Sequence, residues 1–262
     1  EGSPSTVCIC YLNINKMKPT YSINPEIYRL GRPEYGNEIY SYIQTLLNGD
    51  SKAWDCACGS GQVSEKLSEF INQVYATDID LKQLECAKKK NSITYQEAGE
   101  LVPFIGSNSI DLVTVGSGIH WLNQKIFYQE VDRVLKAGGV LAIWGYTGID
   151  LHEDINEVVK EIVSAHFMPY YPENINIAFN GYKEIHLPFQ EVKCPNFKVK
   201  YTWDFFQLKK YFLSFSAMQL YKKVNGDDGF KLFEDQLLEA WGGDRYLKKE
   251  LTWELITKIS IK

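Results

Sequence analysis

The sequence predicts an α/β fold, a mostly parallel, doubly wound sheet with helices on both faces. Three observations carry that prediction. Short apolar runs at residues 53–56, 74–77, 110–115 and 140–146, with a weaker one at 93–95, have the length of strands buried on both faces. Between them lie segments with helical spacing: Val63, Leu67 and Phe70; Leu81, Leu84 and Ala87; Ile126, Val131, Val134 and Leu135. Strand alternating with helix in this way makes βαβ units. The first run also leads directly into a glycine-rich turn, where an open α/β sheet places its ligand.

Composition agrees. The 262 residues correspond to roughly 1.7 average domains, hence one large α/β domain with insertions or a domain with a small cap. Hydrophobic residues at 45% and charged residues at 23% exclude a fibrous or wholly disordered chain. With 28 basic against 33 acidic residues the net charge is −5, which argues against a general nucleic-acid binder. No run approaches the roughly 18 unbroken apolar residues of a membrane span. The start, Glu1-Gly2-Ser3-Pro4, lacks the charged-then-apolar pattern of a signal peptide. Of the six cysteines, Cys8 with Cys10 and Cys56 with Cys58 form Cys-x-Cys pairs, and Cys86 and Cys194 stand alone. No second pair sits at zinc-like spacing, so they read as reduced, small buried side chains and no metal is expected. The expectation is a cytoplasmic protein without nucleic-acid, membrane or obligate protein partner.

Taken in order, residues 1–20 read as a loose lead-in and 21–262 as one domain. Residues 21–48 form two helical pieces broken by Gly31, Arg32 and Pro33, an N-terminal helical lid. Residues 50–148 are the ligand-binding core, with Asp80 the N-cap of a helix over 81–90 whose exposed end carries Lys88, Lys89 and Lys90. Beyond Gly148 the pattern changes. A helix is predicted over 155–167, then a Pro- and Asn-rich stretch over 168–181 and an alternating strand at 197–203. Helices follow at 205–224 and 230–241, and a strand at 251–261, so 149–262 supplies a cap and sheet-completing strands.

The chemistry concentrates in Asp55-Cys56-Ala57-Cys58-Gly59-Ser60-Gly61. Glycines at a strand-to-helix turn let backbone approach a ligand closely, and a helix start behind them offers free N–H groups. The next strand ends in Asp78, where a carboxylate can take both hydroxyls of a ribose. Together these suit an adenosine-type ligand. The dinucleotide fingerprint is incomplete, because Ser64 stands where a third Gly or Ala belongs. Asp55 would repel a pyrophosphate but suits the ammonium of an amino-acid moiety, which favours S-adenosylmethionine and methyl transfer over hydride transfer.

Residues 54–61 resemble the first motif of class I S-adenosylmethionine-dependent methyltransferases, and other segments resemble their small-molecule, trans-aconitate methyltransferase-like branch. Tyr28-Arg29-Leu30-Gly31-Arg32-Pro33-Glu34-Tyr35 is similar to that branch's N-terminal tyrosine-arginine-proline segment, and 98–104 to its adenine-bordering loop. Residues 109–114 with His120-Trp121, 133–139, and Ser214-Phe215-Ser216-Ala217 resemble its fourth strand, the turn into its fifth strand and its cap helix. Three residues depart from the pattern: Ala57 for the first glycine, Gly99 for an alanine and Ala137 for a proline. Ala57 leaves open a weakened cofactor site.

The resemblance implies a Rossmann-like, mostly parallel seven-stranded sheet with an antiparallel last strand. It implies S-adenosylmethionine as cofactor, S-adenosylhomocysteine as product and a metal-independent SN2 transfer to a small acceptor, through oxygen more than nitrogen. The cofactor residues would be Asp55, Ala57, Gly59, Gly61, Asp78, Ile79, Ala98, Gly99, Glu100, Gly116 and Ser117. Tyr28, Arg32, His120, Trp121 and Ser216 would face the acceptor, with Tyr35 part of the lid. His120 would orient the acceptor or act as a general base, although a carboxylate acceptor needs none. Two rivals stay open: a regulatory module that binds the cofactor without turnover, and a protein methyltransferase.

Overall fold

A computed structural model describes residues 25–146, 153–227 and 229–262. The lead-in over 1–20, Cys8, Cys10, the first residues of the lid and the boundary at Gly148 lie outside the described residues. The strands are β1 (Lys52–Cys56), β2 (Gln73–Asp78), β3 (Ile93–Glu97), β4 (Ile110–Gly116) and β5 (Leu135–Tyr146). They continue with β6 (Gln190–Val192), β7 (Phe197–Trp203) and β8 (Lys249–Ile261). The order across the sheet is β3-β2-β1-β4-β5-β8-β6, with β7 also on β8. Strands β1 to β5 are mutually parallel, and β8 runs antiparallel to β5, β6 and β7.

The expected seven strands are eight. β8 is long enough to pair along one edge with both β7, through residues 249–255, and β6, through 259–261, so the sheet stays seven positions wide. The sequence reading missed β6, a three-residue polar edge strand with nothing buried to mark it.

Side-chain alternation along the strands divides the core between the two faces. Ala53, Val74, Ala76, Leu112, Ala142 and Trp144 pack on one face with helices α2 (Asn37–Thr45) and α3 (Gln62–Leu67) and with much of the cap. Trp54, Cys56, Val113, Leu141 and Ile143 pack on the other with α5 (Gln124–Val134), which follows α4 (Leu81–Cys86). α4 stops four residues short of its predicted end. The lysines therefore lie beyond it, where Lys89 Nζ still donates to the Leu84 carbonyl at 3.0 Å. Asp80 caps α4 as expected, accepting from Lys82 N. Residues 136–139 form a bulge in β5 where a turn was expected, because Leu135 pairs with Ile110 and Val140 already with Leu112.

The cap comprises α6 (Glu153–Ile162), α7 (Ile175–Phe179), α8 (Phe205–Leu213), α9 (Ser216–Asn225) and α10 (Glu234–Trp241). The helix predicted over 155–167 ends as a π turn at Val163–Phe167, and the one over 230–241 begins as a 3-10 turn. The helix predicted over 205–224 is two. Ser214 and Phe215 break it, so the 214–217 segment joins two cap helices and is not one helix. The Asp204–Gln207 capping box fixes the start of α8. The lid's first helix, α1 (Pro25–Gly31), ends against α8, where a Cβ at Gly31 would sit 2.5 Å from the Lys210 carbonyl oxygen. Only glycine permits that approach, which brings Arg32 beside the last turn of α8.

No helix among the described residues is long and apolar enough to cross a membrane. The cysteine expectation holds for Cys56, which is buried and free. It fails for Cys86, which is exposed, while Cys58 and Cys194 are half-buried.

Candidate functional site

The carboxyl ends of β1, β2 and β4 lie side by side, and the predicted residues gather there in two groups. The first is the glycine turn. Ala57, Gly59 and Gly61 all adopt left-handed backbone, with φ of +55°, +54° and +81°. Ala57 therefore carries strain that a glycine would not, about 1–2 kcal/mol. A Cβ on Gly59 would meet only Gln83 Oε1, at 3.9 Å, so the backbone there is open to a ligand. Gly61 has no such opening, because a Cβ would lie 2.3 Å from the Tyr95 hydroxyl that covers it. Its backbone starts α3 and the glycine makes room for Tyr95, so direct ligand contact is left to Gly59.

Asp78 ends β2 half-buried. Its Oδ2 accepts from Gly59 N at 2.8 Å and its Oδ1 from Asp80 N at 2.9 Å, so each oxygen keeps a further lone pair. Burial lifts its carboxyl above the usual range, opposed by those two N–H groups. Next in the chain Ile79 is 70% exposed, and Leu101 on the segment after β3 is 58% exposed, large apolar side chains without cover. A Cβ on Gly99 would touch Ile79 at 3.4 Å, and Ala98 N donates to the Asp78 carbonyl. Glu100 is already engaged, its Oε1 accepting from Asn123 N at 2.7 Å to brace the start of α5. Open backbone, a carboxylate and bare apolar side chains fit S-adenosylmethionine.

Asp55 corrects the sequence reading. It is 0% exposed, and its oxygens accept from Ser64 Oγ at 2.5 Å and Thr114 Oγ1 at 2.9 Å. Instead of facing a ligand it ties β1 to α3 and β4 beneath the turn. Burial raises its carboxyl to about 7, against the pull of those two hydroxyls. Gly116 is a second correction. A Cβ there would press on Val63 at 2.8 Å and Tyr35 at 3.4 Å, so it serves packing.

The second group lines a cavity of about 880 Å³ under the cap. Tyr28, Arg32, Ser117, His120, Trp121 and Ser216 all reach it. Ser117 has left-handed backbone at φ +53°, accepts a hydrogen bond from the Tyr35 hydroxyl at 2.7 Å and donates its N–H to the Trp144 carbonyl. His120 is buried against Trp121, with Nδ1 3.5 Å from the Tyr182 hydroxyl. Burial, helped by the Arg32 charge, lowers its pKa to about 4, so the imidazole is neutral near pH 7. Arg32 lies among the rings of Tyr28, Tyr211 and Phe215, at 5.2, 5.5 and 4.9 Å. Among the described residues its guanidinium makes one hydrogen bond, to the Ser214 carbonyl, long at 3.5 Å, and its Nε is sealed without a partner.

Sequence reasoning missed Tyr182, which sits behind His120 and needs Gly145. A Cβ there would lie 2.5 Å from its hydroxyl. A glycine inside an otherwise apolar strand was the available signal. It also missed Met168, Tyr171 and Phe179 of the cavity wall, which carry no motif. Among the described residues no group of three metal-ligating side chains comes together.

Comparison with known proteins agrees with this geometry. A family model described as a methyltransferase domain matches residues 54–143. A Dictyostelium discoideum protein assigned by name to the methyltransferases is 25% identical over 222 residues, 82% of this chain and 83% of that one. The ubiquinone/menaquinone biosynthesis C-methyltransferase of Wigglesworthia glossinidia brevipalpis is 26% identical, over 68% of this chain and 74% of its own. A solved structure from Anaeromyxobacter dehalogenans, titled as a type II methyltransferase, superposes with a TM-score of 0.77. It is 25% identical and covers 88% of this chain and 97% of its own.

Two outcomes follow from the turn. Ala57→Gly removes the left-handed strain, so the melting temperature rises by about 2–4 °C, the equivalent of ~1 kcal/mol; an unchanged or lower value contradicts the strain. Asp55 has a folded-state pKa raised to about 7, so the native state holds an extra proton between the unfolded value and 7. Its stabilising contribution is present at low pH and lost as pH rises through that window. Asp55→Asn therefore gains stability relative to wild type between pH 5 and 8, measured by urea denaturation. A pH-independent difference refutes the buried proton.

Proposed function

We propose that this chain, a class I S-adenosylmethionine-dependent methyltransferase, methylates an oxygen of a small-molecule carboxylate held in the cavity by Arg32. The observation that carries the reading is Arg32 itself. A guanidinium is always charged, and among the described residues no carboxylate forms an ion pair with this one. Taking such a charge partly out of water without a partner costs several kcal/mol, on the order of the penalties known for buried ions. A carboxylate in the cavity would supply the missing partner through a charge-assisted, bidentate contact.

The glycine turn would hold the cofactor, with the Gly59 backbone along its methionine portion and Asp78 on its ribose. Ile79 would pack on the adenine, bordered by Ala98, Gly99 and the backbone beside Glu100. When bound, S-adenosylmethionine supplies a methyl group on a sulfonium sulfur that keeps the bonding electron pair as the methyl leaves. A carboxylate oxygen is already an anion, so it forms the new C–O bond with no proton to remove. The work left to the protein is placement and exclusion of water. Arg32 fixes the acceptor's head, the aromatic walls exclude water, and Ser117, Trp121 and Ser216 border the space. Neutral His120 orients a second polar atom of the acceptor. A hydroxyl acceptor would instead need His120 as base.

Binding and kinetics test this reading separately. Asp78→Ala abolishes the calorimetric binding of S-adenosylhomocysteine while the fold survives; retained affinity rejects the ribose assignment. Arg32→Met raises KM for a carboxylate acceptor by about 10²-fold, as expected for losing a charged hydrogen-bond pair. It leaves S-adenosylhomocysteine affinity unchanged and the protein no less stable, since an unpaired charge leaves the interior. His120→Gln keeps kcat within about tenfold, and kcat/KM stays flat from pH 6 to 9, because His120 titrates near 4 and Arg32 not at all. Unaltered kinetics in Arg32→Met, with activity lost in His120→Gln, would overturn the carboxylate reading.

A further inference from the structure

We infer that the acceptor is a medium-chain aliphatic monocarboxylate, its head on Arg32 and its apolar body against the cap. This rests on the carboxylate reading and adds what lies beyond the head. The cavity, about 880 Å³, is near the top of the range that holds drug-sized ligands, whereas a carboxylate on Arg32 fills a small part of it. The remaining wall is supplied largely by apolar side chains of the cap, among them Val159, Val163 and Ile175. Met168 and Phe179 also line it, yet they are 39% and 43% exposed. Large apolar side chains left bare inside a cavity are covered when an apolar ligand fills it.

Charge points the same way. Among the described residues the cationic side chains of the wall are Arg32 and Lys160, and Lys160 is exposed to solvent on α6. His120 is neutral near pH 7. Among the described residues the one carboxylate of the wall, Glu254, is held by Lys198 at 2.5 Å. A di- or tricarboxylate would thus bring one charge to Arg32 and strand the others among aromatic rings. A monocarboxylate strands none, and in forming the ester its negative charge cancels the sulfonium's positive one without a proton moving.

The test uses the full chain with methyl-deuterated S-adenosylmethionine and reads labelled product by mass spectrometry. The acceptors are butanoate, octanoate, dodecanoate, 1-dodecanol and propane-1,2,3-tricarboxylate. A buried methylene is worth a factor of about four, so kcat/KM rises by roughly two orders of magnitude from butanoate to octanoate. Dodecanoate alone also binds without cofactor, quenching the fluorescence of Trp121, a signal absent in Trp121→Phe. Phe179→Asp flattens the chain-length dependence while S-adenosylhomocysteine affinity is kept. Carboxylates methylated without regard to length, or the tricarboxylate preferred, overturn this inference and leave the carboxylate reading intact. Methylation of 1-dodecanol but no acid, or neither turnover nor binding with any probe, overturns both.

Discussion

A methyl group against an α-carbon holds the two halves of the site together. A Cβ on Gly118 would stand 2.9 Å from the Cβ of Ala57 and 3.1 Å from Val115, so hydrogen is all that fits. The glycine turn after β1 and the loop after β4 meet at that point. One carries the open backbone of Gly59 and its bond to Asp78; the other carries Ser117, His120 and Trp121 to the cavity. Both loops are strained where they meet, since Ala57 and Ser117 are non-glycine residues with left-handed backbone. Such strain persists only where surrounding contacts over-determine it. Here they do: Ser117 is pinned by the Tyr35 hydroxyl and the Trp144 carbonyl, and the turn by Cys58 N on Thr77 O and Gly59 N on Asp78.

The half of the molecule that the sequence made legible is the half whose strands are buried on both faces. Residues 53–56, 74–77 and 110–115 leave no polar face, so a short apolar run is enough to find them, and parallel pairing then places their ends together. Asp55 shows the limit. An acid before a glycine turn can face the ligand or the core, and the motif is the same for both. Strand parity decides, because Ala53 and Asp55 share the face of β1 that packs on α3, where Ser64 waits, and Thr114 shares it from β4. That parity was readable before any coordinates; which partners it would meet was not.

The cap was legible as elements and not as a site. Helical period runs unbroken through 205–224, because Ser214 and Phe215 fit the apolar spacing even as they end one helix and begin another. The edge strand β6 is too short and polar to signal anything. The cavity wall is drawn from at least six separate segments, and most of its cap residues look like ordinary core in their own windows. Tyr28, Arg32, His120, Trp121 and Ser216 were marked by the resemblance, and the meaning of Arg32 came from the aromatic rings that the fold sets around it. The close approach of Gly31 to Lys210 sets it beside Tyr211 and Phe215, with no carboxylate paired to it among the described residues.

The two sides of the Ala57–Gly118 junction carry fields of opposite sign. On the turn side lie Asp55 and Asp78, both raised in proton affinity first by burial, with Asp78 adding to the rise at Asp55, and the ligand-facing carboxylate of Asp78 favours a cationic ligand. On the cavity side lies Arg32, whose charge adds to the burial that keeps His120 neutral. A sulfonium donor carrying an ammonium and a carboxylate acceptor are charged in that same order. Each is drawn to its own side, and neither competes well for the other's place. As the methyl moves, both reacting charges vanish, so the products are held less firmly than the reactants by the fields that assembled them. On the carboxylate reading, the Arg32 charge, without a carboxylate partner among the described residues, is thus what separates binding of acceptor from release of ester.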